Sequence, residues 1–429
     1  MPSVPIPAPE NAPTAGTRRF VRGSVGSGVV VVARGLGALL LNKLLAVYGG
    51  PGGLTLLAHF QNLLAMLTML PNDGTHVGVV KYLAPLNPAG NRYRAWLGAA
   101  IVLNCGALLL ALLALGVAPG PLAGVFHPTA GWFLWFGIGL VLLTAYALLN
   151  TLLLSASRLR AYVAINVTMS VLAPAAVAAV LLTGGSTTTA LLGYLFGQGS
   201  MLLPALWLGY RAGLVPPLRG RVSGSALRAL SKFLLMAVGL LLFGKAVDFA
   251  VRELLVLQYG MGHTDLWQAV MKLSDNYTMV LAATMSSVYY PRLAALAAQP
   301  VAQRHWIRTV LRLVVPLAGA GLLLLYLLRN WLLPLLFEAR FTAASYLLAP
   351  QLLADWFRFV AWPLVMIFTA QARVGRFVAF QAVSAGLYSV ALAALLPQLG
   401  LLGAVWASVV RQGLLLLWCG WYFRAYWRR

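Results

Sequence analysis

The chain has 429 residues, of which 61% are hydrophobic and only 9% are charged, and it carries a formal net charge of +23. Soluble domains are typically about 25% charged, so this composition excludes a water-soluble fold and indicates a polytopic membrane protein. The two cysteines and five histidines show no CxxC, HxxxH or HExxH spacing. The sequence therefore predicts no metal site and no cofactor.

The first element, residues 1–20, begins with a Pro- and Ala-rich stretch that lacks the apolar core of a cleavable signal, and it is predicted to be a disordered cytoplasmic tail. Apolar runs of about 20 residues, enough to cross a bilayer as a helix, follow to the end of the chain. They predict an all-α fold with twelve transmembrane helices, near residues 24–45, 54–80, 95–117, 130–154, 161–183, 188–210, 230–257, 265–290, 306–328, 342–370, 375–396 and 400–423. Pro71 to Gly74 interrupts the second span beside Asp73, a break that membranes tolerate only against protein or a water-filled cavity.

The basic residues set the predicted orientation. If both termini are cytoplasmic, the outer loops contain only Arg329 and Arg340 of the 31 Lys and Arg, whereas the inner segments contain 22 and the spans seven. This alternation follows the positive-inside rule. The net charge is therefore explained by topology, which removes the argument for nucleic-acid binding, and the protein is expected in a bacterial inner membrane with membrane lipid as its surroundings.

The two halves of the sequence resemble each other. KLLAVYGGPGGLTLLAHFQN from Lys43 aligns with ELLVLQYGMGHTDLWQAVMK from Glu253, which places Gly50 on Gly260 and Gly52 on Gly262. Six spans preserve direction, so the pattern predicts two parallel-repeat six-helix bundles around a central cavity, unless the match is a chance likeness of Leu-rich helices. The predicted bundles are residues 21–212 and 229–429, joined by a cytoplasmic linker over residues 213–228.

Seven basic residues remain inside predicted spans, where a charge costs at least about 2.5 kcal/mol and is expected to line a polar cavity. They are the candidate substrate-binding residues Arg34, Lys43, Lys245, Arg252, Lys272, Arg358 and Arg411. The excess over the intramembrane acids Asp248, Glu253, Asp275 and Asp355 predicts an anionic ligand. A diphosphate with sugars attached suits such a cavity, because the guanidinium of Arg can donate two parallel hydrogen bonds to phosphate oxygens.

Helical spacing pairs some of these charges. Lys245 with Asp248, Lys272 with Asp275, and Asp355 with Arg358 are each three residues apart and share a helix face. The acids Asp73, Asp248, Asp275 and Asp355 are candidate coupling or charge-pair residues. The alternative is that these are buried ion pairs that fix helix register, with Lys43 and Arg411 reaching toward the membrane interfaces. Arg34 has no acid at helical spacing, which favours a role in substrate binding.

Further candidates are neutral. Gln351 and Asn276 adjoin the predicted pairs and could bind sugar hydroxyls. Asp265, beside Thr264 at the start of the eighth span, is predicted to be a helix cap.

Several segments resemble the lipid III flippases, the Wzx-type O-antigen and enterobacterial-common-antigen translocases of the multidrug/oligosaccharidyl-lipid/polysaccharide exporter superfamily. The similar segments are KLLAVYGGPGGL from Lys43, GVVKYLA from Gly78, LSKFLLMA from Leu230, LWQAVMKLSDNYTMVLAATMSSVYYPRLAAL from Leu266 and RFTAASYLLAPQLLADWFRF from Arg340. The resemblance runs in register from about Ser24 to the C-terminus. It implies alternating access and transfer of an undecaprenyl-diphosphate-linked oligosaccharide, such as lipid III or an O-antigen unit, from the cytoplasmic to the periplasmic leaflet.

The resemblance also implies particular residues and partners. Arg34 and Lys43 fall where the family carries cations, Asp275 and Asp355 match its recurrent acids, and Lys272 and Arg358 are positions at which the family varies. A polysaccharide polymerase and a chain-length regulator are expected as partners.

Three other functions compete with this one. A lipid II flippase fits the same features, whereas a multidrug exporter of the same superfamily should have an acidic cavity. A membrane-bound glycosyltransferase or polymerase should have a large outer loop or an acidic catalytic pair, and the predicted outer loops contain only Asp265 and Glu338 as acids. The sequence therefore predicts a transporter rather than an enzyme.

Overall fold

The computed structural model describes residues 14–117, 125–126, 129–216, 222–296, 299–370 and 374–424, and this part of the chain is helical without any strand. Eleven helical segments in it are long and apolar enough to cross a membrane. One of them, Gly224–Thr284, has 61 residues. Since about 20 residues span a bilayer, this segment is long enough for two crossings.

The transmembrane helices follow one another with short connections. In chain order they are α1 (Thr14–Tyr48), α2 (Gly53–Thr68 and Gly74–Leu83), α3 (Asn91–Val117), α4 (Ala130–Ser155), α5 (Leu159–Leu182), α6 (Thr187–Gly199 and Leu202–Arg211), α7 (residues 224–259), α8 (residues 261–284), α9 (Pro300–Leu327), α10 (Ser345–Ala370), α11 (Val374–Leu399) and α12 (Leu401–Tyr422). Short helices at Tyr290–Ala295 and Arg329–Leu336 and a 3₁₀ helix at Ala339–Ala344 lie between them.

α7 and α8 form a hairpin that turns at Gly260, whose φ of 74° and ψ of 165° break the helix. The side chains of two neighbouring residues of α2 show that α8 runs back alongside α7 after this turn. Asn62 donates to the backbone carbonyl of Lys245 at 2.9 Å, and Gln61 accepts from the ammonium of Lys272. Because residues 245 and 272 lie at the same level of α2, the two arms run side by side in opposite directions. The predicted twelve-helix fold is confirmed.

The two halves meet at equivalent turns. Gly50 and Gly52 have φ of 70° and 92°, and Gly260 has a φ of 74°, a conformation that L side chains avoid. A Cβ added to Gly52 would lie 2.7 Å from the Cβ of Met261, so the backbones approach too closely for a larger residue. We call this end of the bundle the Gly52 end, and the opposite end, which contains Lys81, the Lys81 end.

The predicted break in the second span is present as a π-helical turn, Met69–Asp73. Pro71 has no N–H to donate, and its own carbonyl accepts from the Thr75 hydroxyl at 2.6 Å and from the Asn104 amide at 2.6 Å. Protein groups therefore satisfy the interrupted backbone, as membranes require. Two further π-helical turns occur in the second half: Leu241–Lys245 lies within α7, and Met285–Tyr289 follows α8, the helix that corresponds to α2.

The buried apolar residues form three clusters. The largest buried cluster includes Leu57 and Phe60 from the first half and Leu255 and Leu347 from the second. Two smaller clusters lie elsewhere, one mainly in the first half and one in the second. The largest core therefore joins the two halves, whereas the other two belong mostly to one half each.

The helices extend beyond two of the predicted boundaries. Residues 1–13 lie outside the described part, but residues 14–20, predicted as tail, are helical, because Pro13 is the last helix breaker before α1. The predicted linker ends earlier than residue 228. α7 begins at Gly224, where the Ser223 hydroxyl accepts from the N–H of Ala226 at 3.4 Å and caps the helix. Residues 217–221 of that linker lie outside the described residues.

Candidate functional site

Arg34 lies on the face of α1 that is turned toward the interior. Val32 and Leu36 are 61% and 62% exposed and mark the lipid-facing side of the helix. Arg34 is two residues from each of them, which is about 200° around a helix, and it shares its face with Leu41, which is 2% exposed. The Arg34 side chain is nevertheless exposed. A Cβ added to Gly35 would lie 3.5 Å from the Met279 side chain of the second half, so we infer that Arg34 faces the space between the two halves, which we call the central cavity.

The partner of Arg34 is neutral. Its guanidinium donates to the side-chain oxygen of Asn166 on α5, a residue that is fully buried. The amide nitrogen of Asn166 in turn donates to Asn150 on α4 at 3.2 Å and to the Tyr162 carbonyl at 2.7 Å. Asn166 thus holds the guanidinium of Arg34 in place, and no acid among the described side chains pairs with it.

α7 contributes two cations and one acid. Lys245 and Asp248 form the predicted ion pair at 3.8 Å, with side chains 39% and 54% exposed. Because both are solvated, this pair contributes little to stability. Arg252 is buried, and its Nε donates to Gln268 of α8 at 2.9 Å, while its Nη1 has no partner among the described residues.

Lys272 connects the two halves. Its ammonium donates to Gln61 of α2 rather than forming a direct ion pair with Asp275, although the two charges interact electrostatically. Asp275 is exposed and also interacts with Arg358 and Lys245. The acid at the centre of the second half is therefore surrounded by three cations.

Asp355 and Arg358 form a network that joins α10 to α8. Asp355 is 2% exposed and accepts hydrogen bonds from Ser274 at 2.7 Å, from the Tyr277 hydroxyl and from Gln351 at 3.1 Å. Arg358 Nη2 pairs with Asp355 at 2.7 Å and donates to Thr278 at 2.6 Å. Gln351 was predicted to bind sugar hydroxyls. It is buried in this network, and its amide donates to Asp355 instead.

Arg411 of α12 lies with its guanidinium 4.6 Å from the ring centroid of Tyr388 on α11. It interacts electrostatically with Asp248, Arg358 and Asp355, which places it beside the charges of α7 and α10. The Nε atoms of Arg411 and Arg358 are buried without a hydrogen-bond partner in the described protein. The charged groups of the second half therefore retain donors for an anion.

Lys43 does not join this group. It lies near the end of α1, where its ammonium donates to the carbonyls of Pro334 and Leu335 at 3.2 and 3.1 Å. These carbonyls end the helix Arg329–Leu336, so Lys43 caps that helix and stabilises its dipole. The side chain of Asp73, another predicted site residue, lies outside the described residues.

The sequence did not reveal how the Gly52 end is closed. Asp265, predicted to cap its own helix, caps α2 of the other half. Its carboxylate accepts from the N–H of Gly52 at 2.7 Å, the N–H of Thr55 at 2.8 Å and the Thr55 hydroxyl at 2.8 Å. Thr55 and Asp265 are 210 residues apart, the offset of the internal repeat. A pseudo-two-fold axis through the paired turns would bring residues at this offset together. The internal repeat could therefore have predicted the contact between Thr55 and Asp265.

Arg340 completes this contact. Its guanidinium donates to the carbonyls of Ala46 and Gly50 at 2.9 and 3.1 Å, pairs with Glu338 at 2.7 Å and lies 3.9 Å from Asp265. The second half thus places a carboxylate on the N-terminus of α2 and a guanidinium on the C-terminus of α1, each complementary to the helix dipole. We call Asp265, Arg340 and their partners the Gly52 gate.

Among the described residues, no group of three or more His, Cys, Asp or Glu could hold a metal ion. The fold is that of a multi-pass membrane protein with two six-helix halves. This is the architecture of a transporter.

Several solved structures of named transporters and flippases resemble the chain. An outward-facing multidrug resistance MATE family transporter of the MOP superfamily gives a TM-score of 0.69 at 12% identity and covers 96% of each chain. The lipid II flippase MurJ in an inward closed conformation gives 0.69 at 11% identity, over 93% of this chain and 87% of MurJ. A Vibrio cholerae MATE transporter, VcmN, in the bent form gives 0.61 at 12% identity, over 97% and 98%. The chain therefore has the fold of this superfamily.

The sequence relatives are more specific. Proteins named lipid III flippase from Escherichia coli K12 and Shigella flexneri are each 28% identical over 392 residues, covering 89% of this chain and 94% of theirs. No family model matches the chain. The resemblance to lipid III flippases predicted from the sequence is confirmed.

Proposed function

We propose that the protein is a flippase, and not an enzyme, that translocates an undecaprenyl-diphosphate-linked oligosaccharide, a lipid III or O-antigen unit, across a bacterial inner membrane. The proposal is supported by the relatives named lipid III flippase and by the transporter fold. Polysaccharide polymerases and chain-length regulators, which would act on the translocated product, are the proposed partners.

The main support is the convergence of cations on the central cavity. Arg34 comes from α1, Lys245 from α7, Lys272 from α8, Arg358 from α10 and Arg411 from α12. Asp248, Asp275 and Asp355 balance only part of this charge. The electrostatic contacts of Asp275 and Arg411 support a common space for the charges of the second half. The contact of Tyr194 with Arg34, and the bond from Lys272 to Gln61 beside Tyr194, support its extension to the first half. A diphosphate that enters the cavity must lose its hydration, and charge-assisted hydrogen bonds from guanidinium groups replace it.

The orientation follows from the distribution of basic residues. The Lys81 end contains the segments rich in Lys and Arg and is assigned to the cytoplasm with both termini, and the Gly52 end is assigned to the periplasm. The Gly52 gate is closed in this structure. Alternating access requires it to open before the substrate leaves on the periplasmic side.

Two other substrates are less well supported. A multidrug cation would be repelled by the excess of guanidinium and ammonium groups in the cavity. Lipid II also has a diphosphate, but MurJ resembles this chain at 11% identity, a likeness of fold alone, whereas the lipid III flippases are 28% identical.

Variants of Arg34 test the proposal in cells. Arg34→Ala should abolish the appearance of externally accessible lipid-linked glycan while the protein remains in the membrane, because the exposed guanidinium bonds the neutral Asn166 and no acid in the described part of the chain. Arg34→Lys should restore only part of the activity, since an ammonium cannot form two parallel bonds to a phosphate. Arg329→Ala removes a cation that bonds the Tyr326 carbonyl and stacks on the Tyr326 ring, both three residues away in the same half. It is the matched control and should transport normally. Normal transport by Arg34→Met would contradict the proposal.

A further inference from the structure

The first half of the cavity contains a cluster of neutral polar side chains. Asn150 and Asn166 are hydrogen-bonded to each other at 3.2 Å, beside Arg34. Gln61 donates to the Tyr194 hydroxyl at 3.3 Å, and Tyr194 also bonds to Gln198. The cluster comes from α2, α4, α5 and α6, four helices of the first half. We call these five amide and phenol side chains the amide cluster.

The amide cluster adjoins the charges. Tyr194 interacts electrostatically with Arg34, and Gln61 accepts from Lys272 of the second half. The first 212 residues contain only two acids, Glu10 and Asp73. The two walls of the cavity therefore differ in chemistry: the second half presents paired and unpaired charges, whereas the first half presents neutral donors and acceptors around a single guanidinium.

The amide cluster has hydrogen-bonding capacity to spare. The Asn150 oxygen accepts from Asn166, but its amide nitrogen has no protein partner among the described residues, and the side chain is only partly buried. The Tyr146 hydroxyl, near Arg34, is buried without a partner in the described protein. Amides offer both donors and acceptors, as sugar hydroxyls do, and phenol rings provide flat apolar surfaces for the faces of sugar rings.

We propose that the amide cluster is a glycan subsite, so that the substrate lies across the cavity with its diphosphate between Arg34 and the charges of the second half and its first sugars on the amide and phenol side chains of the first half. The inference rests on the proposed function. It also assigns specificity: the charges recognise the diphosphate common to all such lipids, and the amide cluster distinguishes a glycan-bearing lipid from a bare one. The covalent bond between sugar and diphosphate requires adjacent subsites, and the bond from Lys272 to Gln61 places them in contact.

Binding of two defined lipids to the purified protein separates the subsites. The probes are undecaprenyl diphosphate and undecaprenyl-diphosphate-linked N,N′-diacetylchitobiose. The wild type should bind the glycan-bearing probe more tightly. Tyr194→Phe and Asn150→Leu should each weaken binding of that probe by about three- to tenfold, the equivalent of one neutral hydrogen bond, and leave the bare diphosphate unaffected.

Two controls complete the design. Tyr93→Phe also removes a phenol hydroxyl from the first half, but that hydroxyl donates to the Leu214 carbonyl at 3.0 Å outside the amide cluster, and both affinities should be unchanged. Arg411→Met should weaken both probes alike. If the wild type bound neither lipid, the proposed function would fail. Equal affinity of the wild type for the two lipids, or equal losses for both in the Tyr194 and Asn150 variants, would overturn the subsite alone.

Discussion

Replacing Asp265 with asparagine should open the Gly52 gate. The Asp265 side chain is 1% exposed, and all three of its close donors, two on Thr55 and one on Gly52, belong to the other half. These hydrogen bonds exist only while the halves touch at this end. Weakening them therefore shifts the conformational equilibrium, and the only contact weakened inside one half is the 3.9 Å ion pair of Asp265 with Arg340 among the described residues.

The size of the shift follows from the three bonds. An asparagine oxygen cannot accept all of them, and its amide nitrogen would point a donor at a buried N–H. The loss of charge assistance together with one unsatisfied N–H costs about 3 kcal/mol. That free energy corresponds to a factor of about 150. A gate closed in about 99% of molecules would then be open in about 60%.

Spin labels at Tyr48 in the first half and Thr342 in the second, both exposed near this gate, measure the opening as a distance distribution. Asp265→Asn should add a long-distance population that the unsubstituted protein lacks. Thr183→Val is the control, since the exposed Thr183 hydroxyl donates to the carbonyls of Ala179 and Val180 in its own helix, outside the gate, and it should leave the distances unchanged. An unchanged distribution for Asp265→Asn would refute the reasoning.

Two further predictions concern the acids and the topology. Asp275→Asn should keep normal abundance but lose transport, because Asp275 is exposed among three cations. Asp355→Asn should instead lower the free energy of unfolding by about 2 to 3 kcal/mol, since Asp355 is buried with four partners. Thermal denaturation beside a transport assay distinguishes them, and equal stability of both variants would contradict the assignment. A reporter fused after Arg160 should lie in the cytoplasm and one at Gly184 in the periplasm. A cytoplasmic signal at Gly184 would overturn the orientation.

The sequence predicted the features that depend on neighbours along the chain. Apolar length determines each span, and helical spacing identified the pairs Lys245 with Asp248 and Asp355 with Arg358. The break before Gly74 was also visible, because proline cannot complete an α-helical ladder. These features need no knowledge of how the helices pack.

Contacts between distant helices were less accessible. Lys272 was expected to pair with Asp275, three residues away, but it reaches Gln61 on α2. Asn166, the partner of Arg34, lies 132 residues further along the chain and belongs to no charge pattern. Neutral amides are common in sequences and acquire their meaning only when helices bring them together, so the amide cluster could not be inferred from spacing.

Transport by the purified protein in liposomes tests the central claim most directly. A fluorescent undecaprenyl-diphosphate-linked oligosaccharide is placed in both leaflets, and a membrane-impermeant quencher then reports the exchange of the protected fraction. The cationic cavity predicts that exchange is faster with the protein than in empty liposomes and falls to that background for Arg34→Ala. Exchange no faster than in empty liposomes, or equal exchange by Arg34→Ala, would contradict the account.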